Sequence, residues 1–320
     1  MPGIENKAEN SGRDISAMTS GTNLLATITV TYNPDLPVLA RQLEQLPANV
    51  LKIIVDNASH PELTAKIRDW VSGRSDLRLL ENADNRGLAT ALNQGGRYAL
   101  QAAPERRYLL LLDQDTEPGD AGVERLFAAF QRLSAVHPKL GCVGPRLIDV
   151  DTTLDHGFHQ ISGWRWVRRH PSVESLEPVP VANLNGSGTL VSSAFFAELG
   201  GLDESLFIDH VDTEWSFRVL ASGHLLYGIP DICFKHRMGV TGLRFWLFGW
   251  HVWPYRSPSR HYYLFRNAVR LLHMRHVPLV WKFLAPVKLT ATLVLHLFFD
   301  RARWAQVGQM IRGVRDGFRS

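Results

Sequence analysis

Cysteine is nearly missing from this chain. Two residues, Cys142 and Cys233, among 320 build neither a disulfide framework nor a metal motif, and their scarcity fits a reducing compartment. A large charge imbalance is missing as well. The formal net charge is +4, so composition makes no demand for a nucleic-acid groove, and no nucleic-acid partner is expected. Nothing near the N-terminus reads as a secretion signal; residues 1–22 are small and polar and are expected to form a disordered leader. The most apolar stretch, 277–299, is interrupted by Pro278, Lys282, Pro286, Lys288 and His296. It therefore lacks the unbroken run of roughly 20 apolar residues that a spanning helix wants. Internal repeats and low-complexity tracts are absent. The small-residue loop Asn185-Gly186-Ser187-Gly188-Thr189-Leu190 has neither Walker spacing nor its lysine. What the chain does have is 45% hydrophobic content, enough to pack one large domain or two small ones.

The most informative segment is Tyr108-Leu109-Leu110-Leu111-Leu112-Asp113-Gln114-Asp115-Thr116-Glu117-Pro118. Bulky aliphatics predict a buried strand that stops at two carboxylates flanking one residue. Ligands of open α/β sheets bind at carboxyl strand ends, and paired oxygen donors there suit Mg²⁺ or Mn²⁺, which can hold a diphosphate. Taken alone, the same pair also reads as a turn before Pro118. Upstream, strands are expected over Leu24–Tyr32, Val50–Val55 and Leu77–Leu80. Helices fall between them, with apolar positions at Leu36, Leu39 and Leu43, then Leu63, Ile67 and Val71, then Leu88 and Leu92. This alternation implies parallel pairing and a nucleotide-sized crevice at the strand ends.

Seven motifs occur in order: Val30-Thr31-Tyr32-Asn33, Val55-Asp56-Asn57, Asn85-Arg86-Gly87, Leu112-Asp113-Gln114-Asp115, Gly200-Gly201-Leu202-Asp203-Glu204, Phe207-Ile208-Asp209-His210-Val211-Asp212-Thr213-Glu214-Trp215 and Lys235-His236. With them the chain resembles the family 2 glycosyltransferases of the GT-A fold, and within these the bacterial rhamnosyltransferases that use dTDP-L-rhamnose. The resemblance implies a Rossmann-like, mostly parallel α/β sheet flanked by helices, with a helical C-terminal extension. It implies inverting transfer of L-rhamnose from dTDP-L-rhamnose to a hydroxyl of a cell-surface glycan precursor or glycolipid, with Mg²⁺ or Mn²⁺ as cofactor. A transferase for another nucleotide sugar, such as a UDP-hexose, is the second enzymatic reading. A non-catalytic nucleotide-sugar or glycan-binding module is the reading from another class, and the combination of Asp113, Asp115 and Asp212 argues against it, because binding alone needs no base.

Carried over by position, the resemblance gives Thr31, Asn33, Asp56, Asn57, Arg86, Gly87, Asp113 and Gln114 to the donor, with Asp56 accepting a hydrogen bond from thymine. Arg260 or Arg266 would clamp the diphosphate. Asp113, Asp115 and His236 would hold the metal. Ser187, Gly188 and Trp215 would lie beside the sugar and acceptor. Asp56 could equally cap a helix, and His236 could be a core-edge histidine. Transfer calls for a carboxylate base to take the acceptor's proton. Asp212 falls where the family's catalytic Asp falls, but the Glu usual before it is Val211 here, which leaves Asp209 as a supporting or replacing base.

The catalytic domain is expected over 23–272, with a donor half at 24–116 and an acceptor half at 117–272. The aromatic run Leu243–Tyr255 reads as a mobile acceptor loop or an interfacial contact. The tail, 273–320, is expected to be helical, with Trp304, Val307, Ile311, Val314 and Phe318 at helical spacing and arginines elsewhere. Such a basic amphipathic helix either lies on anionic lipid or packs on the domain. The chain is accordingly expected to be cytoplasmic and peripheral at the inner membrane face, where it would meet a lipid-linked or glycolipid acceptor.

Overall fold

The computed structural model describes residues 21–237, 242–246 and 250–319. Most of the expected leader, and Phe248 of the aromatic run, lie outside the described residues. The first half alternates as the pattern requires: β1 (Leu25–Thr31), α1 (Leu36–Gln45), β2 (Leu51–Asp56), α2 (Pro61–Val71), β3 (Leu77–Glu81), α3 (Leu88–Ala102) and β4 (Tyr108–Asp113). Strands β1 and β2 are buried along their whole length, as parallel strands covered on both faces must be. Side chains alternate across the sheet. Ile28, Val30, Leu109 and Leu111 pack with α3, while Leu25, Ile54, Leu110 and Leu112 pack with α1 and α2.

Beyond β4 come β5 (Thr116–Glu117), α4 (Gly122–Val136), β6 (Leu140–Asp149), the hairpin β7 (Phe158–Ser162) and β8 (Arg165–Arg169), β9 (Val179–Pro180), β10 (Thr189–Ser192), α5 (Ser193–Glu198), α6 (Val211–Ala221) and β11 (Leu225–His236). The nine-stranded sheet runs β3-β2-β1-β4-β10-β6-β11-β5, with β9 on β11. Pairing is parallel from β3 to β4, and β10 then runs against both neighbours. The mostly parallel sheet expected from the sequence is therefore parallel in its donor half and mixed in the other. The order reverses between β1 and β4, the place where an open sheet leaves a crevice. Register does the rest, setting Thr31 beside Asp56 and Val30 beside Asp113.

The C-terminal third adds the hairpin β12 (Gly242–Trp246) and β13 (Trp250–Pro254), then α7 (Pro258–His273), α8 (Leu279–Phe299) and α9 (Arg303–Gly317). The break expected in 277–299 does not occur, since Pro286 sits inside a continuous helix of 21 residues. A proline removes one N–H and crowds one carbonyl. Here α8 is held on both sides of it, by Trp281 against Phe217 and by His296 against His261. The last helix packs on the domain, one of the two arrangements expected for it. It docks on α7 through Gln306, Met310, Gly313 and Gly317, while Trp304, Ile311 and Phe318 face outward. A Cβ on Gly313 would come within 2.4 Å of the Tyr262 carbonyl oxygen, so only glycine permits this approach.

Candidate active site

Strand β4 delivers Asp113 at its end, and the short turn after it delivers Asp115. Strand β5 then pairs with the end of β11 in the register His236 to Thr116, which swings the imidazole beside them. His236 Nδ1 lies 3.2 Å from Asp115 and Nε2 lies 3.9 Å from Asp113. One donor atom from each of the three residues falls within 4.8 Å of the others. Burial opposes protonation of His236, but Asp115 and Asp113 outweigh it and hold its pKa above the ordinary value. Burial also raises the Asp113 pKa, with the Asp115 charge adding to it and His236 opposing.

The wall at the ends of β1, β2 and β3 is a closed hydrogen-bond network. Asp56 is 1% exposed and accepts from Thr31 Oγ1 (2.8 Å), Ser59 Oγ (2.6 Å), Ser59 N (3.1 Å) and Thr64 Oγ1 (3.0 Å). These four bonds occupy its acceptor capacity, so Asp56 shapes the wall from behind. Asn33 accepts from His60 N, and Gln114 accepts from Tyr32 N, tying the strand-end loops together. Asn57 donates to Asn85 and to the Gly87 carbonyl and accepts from Arg86 N. Gly87 has φ +85°, and a Cβ there would strike Phe207 at 2.6 Å. Its close approach is therefore to the loop before α6, whereas the Arg86 side chain is exposed.

That loop concentrates backbone strain. Phe207, Asp209 and His210 all have positive φ, a conformation that non-glycine residues hold only where surroundings impose it. Helix α7 imposes it. Asn267, fully buried, donates to the carbonyls of Leu206, Ile208 and Asp209 at 2.7, 2.8 and 2.8 Å. Arg266 donates to the carbonyls of Ser205 and Leu206 and lies over the Tyr263 ring, itself stacked on Phe207 at 4.7 Å. Arg266 thus braces the loop and is not aimed at the carboxylate cluster. Arg260 grips both oxygens of Asp209, and Arg256 adds a contact of 3.1 Å. Burial opposes ionisation of Asp209, yet the guanidiniums prevail and hold its pKa below the usual range. Asp209 is the anchor of a clamp, which is the opposite of what a proton acceptor needs.

Asp212 stands at the first turn of α6. Burial raises its pKa, with the charges of Asp113 and Asp209 adding to it, against stabilisation from the backbone N–H groups of Thr213 and Gly186. The loop before β10 joins it to the metal-type cluster: Gly186 meets Asp212, and Ser187 Oγ donates to Asp113 Oδ2. Gly188 packs on Pro145 rather than on the site. Trp215, expected beside the acceptor, is a core residue, 3% exposed and packed on Phe196. Glu214 is also withdrawn, bonded by Arg218 at 2.8 Å with His276 at 3.0 Å. Sequence reasoning missed Arg256 and the role of Asn267. Their partners lie about 50 to 60 residues away in the chain, and no spacing signals them.

A strand-end carboxylate pair beside a third, separately tuned carboxylate, on a sheet of this order, defines the class: a GT-A glycosyltransferase. The profile of glycosyl transferase family 2 matches residues 27–196, and the chain belongs to that family. It is 33% identical over 260 residues to the dTDP-rhamnosyl transferase RfbF of Shigella flexneri, covering 81% of this chain and 83% of that one. It is 26% identical over 318 residues to an N-acetylglucosaminyl-diphospho-decaprenol L-rhamnosyltransferase of Mycobacterium tuberculosis, covering 88% of this chain and 96% of that one. Among solved structures, GalNAc-T7 with UDP, GalNAc and Mn²⁺ superposes with a TM-score of 0.58 at 18% identity, over 92% of this chain and 56% of that one. The mannosyltransferase PcManGT from Pyrobaculum calidifontis, in complex with GDP-Man and Mn²⁺, gives 0.52 at 16%, over 92% of this chain and 75% of that one.

Proposed function

We propose that this glycosyltransferase moves L-rhamnose, with inversion, from dTDP-L-rhamnose to a hydroxyl of a lipid-linked glycan precursor or glycolipid. The observation that carries the catalytic part is the junction at Gly186–Ser187, which brings Asp212 and the Asp113–Asp115–His236 cluster into one site. The choice of sugar is supported by the relatedness to the Shigella enzyme.

Two carboxylate oxygens and an imidazole nitrogen within 4.8 Å suit Mg²⁺ or Mn²⁺. Bound there, a cation supplies charge stabilisation to the diphosphate as it departs. The rest is done by the chain itself. The wall built on Asp56 and Asn57 receives the nucleotide. Asp212 takes the proton of the acceptor hydroxyl while that oxygen bonds to the anomeric carbon and the carbon–diphosphate bond breaks, releasing dTDP with the electron pair. A carboxylate whose pKa is raised is a better proton acceptor, which is what burial achieves at Asp212. Arg260 keeps Asp209 ionised, and its own charge also reaches Asp113.

The acceptor's lipid is met at a membrane surface in this reading. On α8, Phe283, Val287 and Phe298 are 68%, 66% and 67% exposed; on α9 Trp304 and Ile311 are 76% and 59% exposed, and Phe318 just past its end is 64% exposed. Helix α8 is long and apolar enough to cross a bilayer. However, it buries the His296–Asp300 pair against the catalytic domain, which favours lying on the cytoplasmic surface.

The test is a donor panel with and without metal. Calorimetry should record dTDP binding that requires Mg²⁺ or Mn²⁺, and turnover should be seen with dTDP-L-rhamnose. Turnover of UDP-glucose with none of the rhamnose donor would transfer the chain to the UDP-hexose reading.

A further inference from the structure

Helix α9 buries one side through Gln306, Met310, Gly313 and Gly317, and Gln306 is the polar member of that set. It is fully buried in the first turn, and its side chain reaches partners 45 and 50 residues away in the chain. Gln306 Nε2 donates to the Arg256 carbonyl at 3.0 Å, and Gln306 Oε1 lies 2.6 Å from His261 Nδ1. A carbonyl oxygen only accepts, so the amide N–H must face Arg256 and the amide oxygen must face the imidazole. The His261 proton is therefore on Nδ1, which donates. Burial, against the help of Gln306, brings the His261 pKa to about 4, so the ring is a neutral donor in one tautomer.

Both partners adjoin the groups that hold Asp209. Arg256 itself meets Asp209 at 3.1 Å, and Arg260, which precedes His261, meets both of its oxygens at 2.8 Å. Gln306 thus ties the backbone of one arginine to the helix turn that presents the other. Its own seat is narrow. Helix α9 lies close on α7, where a Cβ on Gly317 would come within 2.7 Å of the Arg266 carbonyl oxygen, and Tyr262 donates to Asp316 at 3.2 Å. Behind His261 the His296 ring crosses at 4.4 Å, itself bonded to Asp300 at 2.7 Å. Docking alone would be served by an apolar side chain of similar volume, as it is one turn further on by the fully buried Met310. A buried amide satisfied at both ends adds orientation, which apolar contact does not.

We propose that Gln306 is a positioning residue for the transfer reaction: it holds Arg256 and the Arg260 turn of α7 in register, keeps the clamp closed on Asp209, and so sets the base Asp212. This rests on Asp212 being the base of the proposed function, and it makes the C-terminal helix part of the transferring machinery. Behind burial, Asp113 and Asp209 are the charges that raise the Asp212 pKa, so a guanidinium drawn off Asp209 disturbs the base as well as its loop. A displacement of about 1 Å far from the chemistry is enough to slow a reaction many-fold.

The test uses Gln306→Met, which keeps the volume and removes both bonds. The readout is dTDP release from dTDP-L-rhamnose by the full chain, with Mn²⁺ and a bacterial lipid extract as acceptor. Turnover should fall about tenfold, while the donor KM and dTDP affinity stay within about twofold of wild type. Met310→Ala opens a cavity in the same helix; it should lower the melting temperature at least as much and leave turnover within about twofold. Asp209→Asn already undoes the clamp, so adding Gln306→Met to it should cost less than about twofold more. Losses that multiply in that double variant, or a turnover loss with Met310→Ala equal to that of Gln306→Met, overturn the proposal and leave Gln306 a packing residue. Should Gln306→Met not fold, Gln306→Asn, whose shorter amide cannot span both partners, is read by the same comparisons and judged by the same outcomes. Turnover that survives Asp212→Asn in this assay overturns the base assignment instead, whatever Gln306 does.

Discussion

Arg260 meets Asp209 with two prongs, Nε and Nη2 each lying 2.8 Å from a carboxylate oxygen. A fork-to-fork pair of this kind fixes both direction and protonation state. Asp209 is therefore locked ionised, and three residues further on Asp212 is left with its proton affinity raised. Two buried acids close in sequence are shifted in opposite directions because one is met by guanidiniums and the other by like charge.

Substitution should separate those roles. Asp212→Asn is expected to lower turnover by about 10² or more while dTDP affinity persists. Asp209→Asn strands Arg256 and Arg260 beside a neutral amide and should reduce stability by about 1–3 kcal/mol, discounted because both arginines reach solvent. Its loss of turnover should be the smaller one. Denaturant melts read alongside single-turnover rates decide this, and a reversed order would make Asp209 the base.

The pH profile follows from the direction of the Asp212 shift. The base works when deprotonated, so kcat/KM should rise with pH through a value above the ordinary carboxylate range, and Asp212→Asn should abolish that limb. Stability moves the other way. A carboxyl whose folded pKa is raised contributes stability below its unfolded pKa, and this is lost as pH rises through the folded pKa. In metal-free buffer at neutral pH, Asp212→Asn should thus melt at or above the wild-type temperature. A clearly lower melting point would contradict the raised pKa.

Asn267→Ala removes the donors to three carbonyls of a loop held at positive φ. The expected destabilisation is about 1–3 kcal/mol for buried groups left unpaired. Turnover should fall more than dTDP affinity, because the loop leads into Asp212 and not into the donor wall. Hydrogen exchange over residues 205–212 should speed up; unchanged exchange there would show that α7 does not hold the loop.

For the tail, replacing Trp304, Ile311 and Phe318 together by Ser should diminish binding to anionic vesicles while leaving the melting temperature within about 2 °C, since all three are exposed. Gly313→Val should do the reverse of this on stability, because its side chain would press on the α7 backbone. If the triple variant bound vesicles as well as wild type, this outward face would not be the membrane contact.

The local devices of the donor half were legible in the residues themselves. Aliphatic runs closed by Asp56 or Asp113, and helix periods between them, specify buried parallel strands and their order of appearance because each signal is satisfied within a few residues. The pair Asp113 and Asp115 was readable for the same reason, as was the helical nature of 303–317. Tertiary structure alone decided what those groups can do. It placed Trp215 in the core, turned Arg266 onto loop carbonyls, filled the acceptor capacity of Asp56, and kept α8 continuous through Pro286. It also distinguished Asp209 from Asp212. A pKa, a counter-ion and an exposed face are properties of neighbours brought from about 50 residues away, and no period or spacing in the chain encodes which neighbour will arrive.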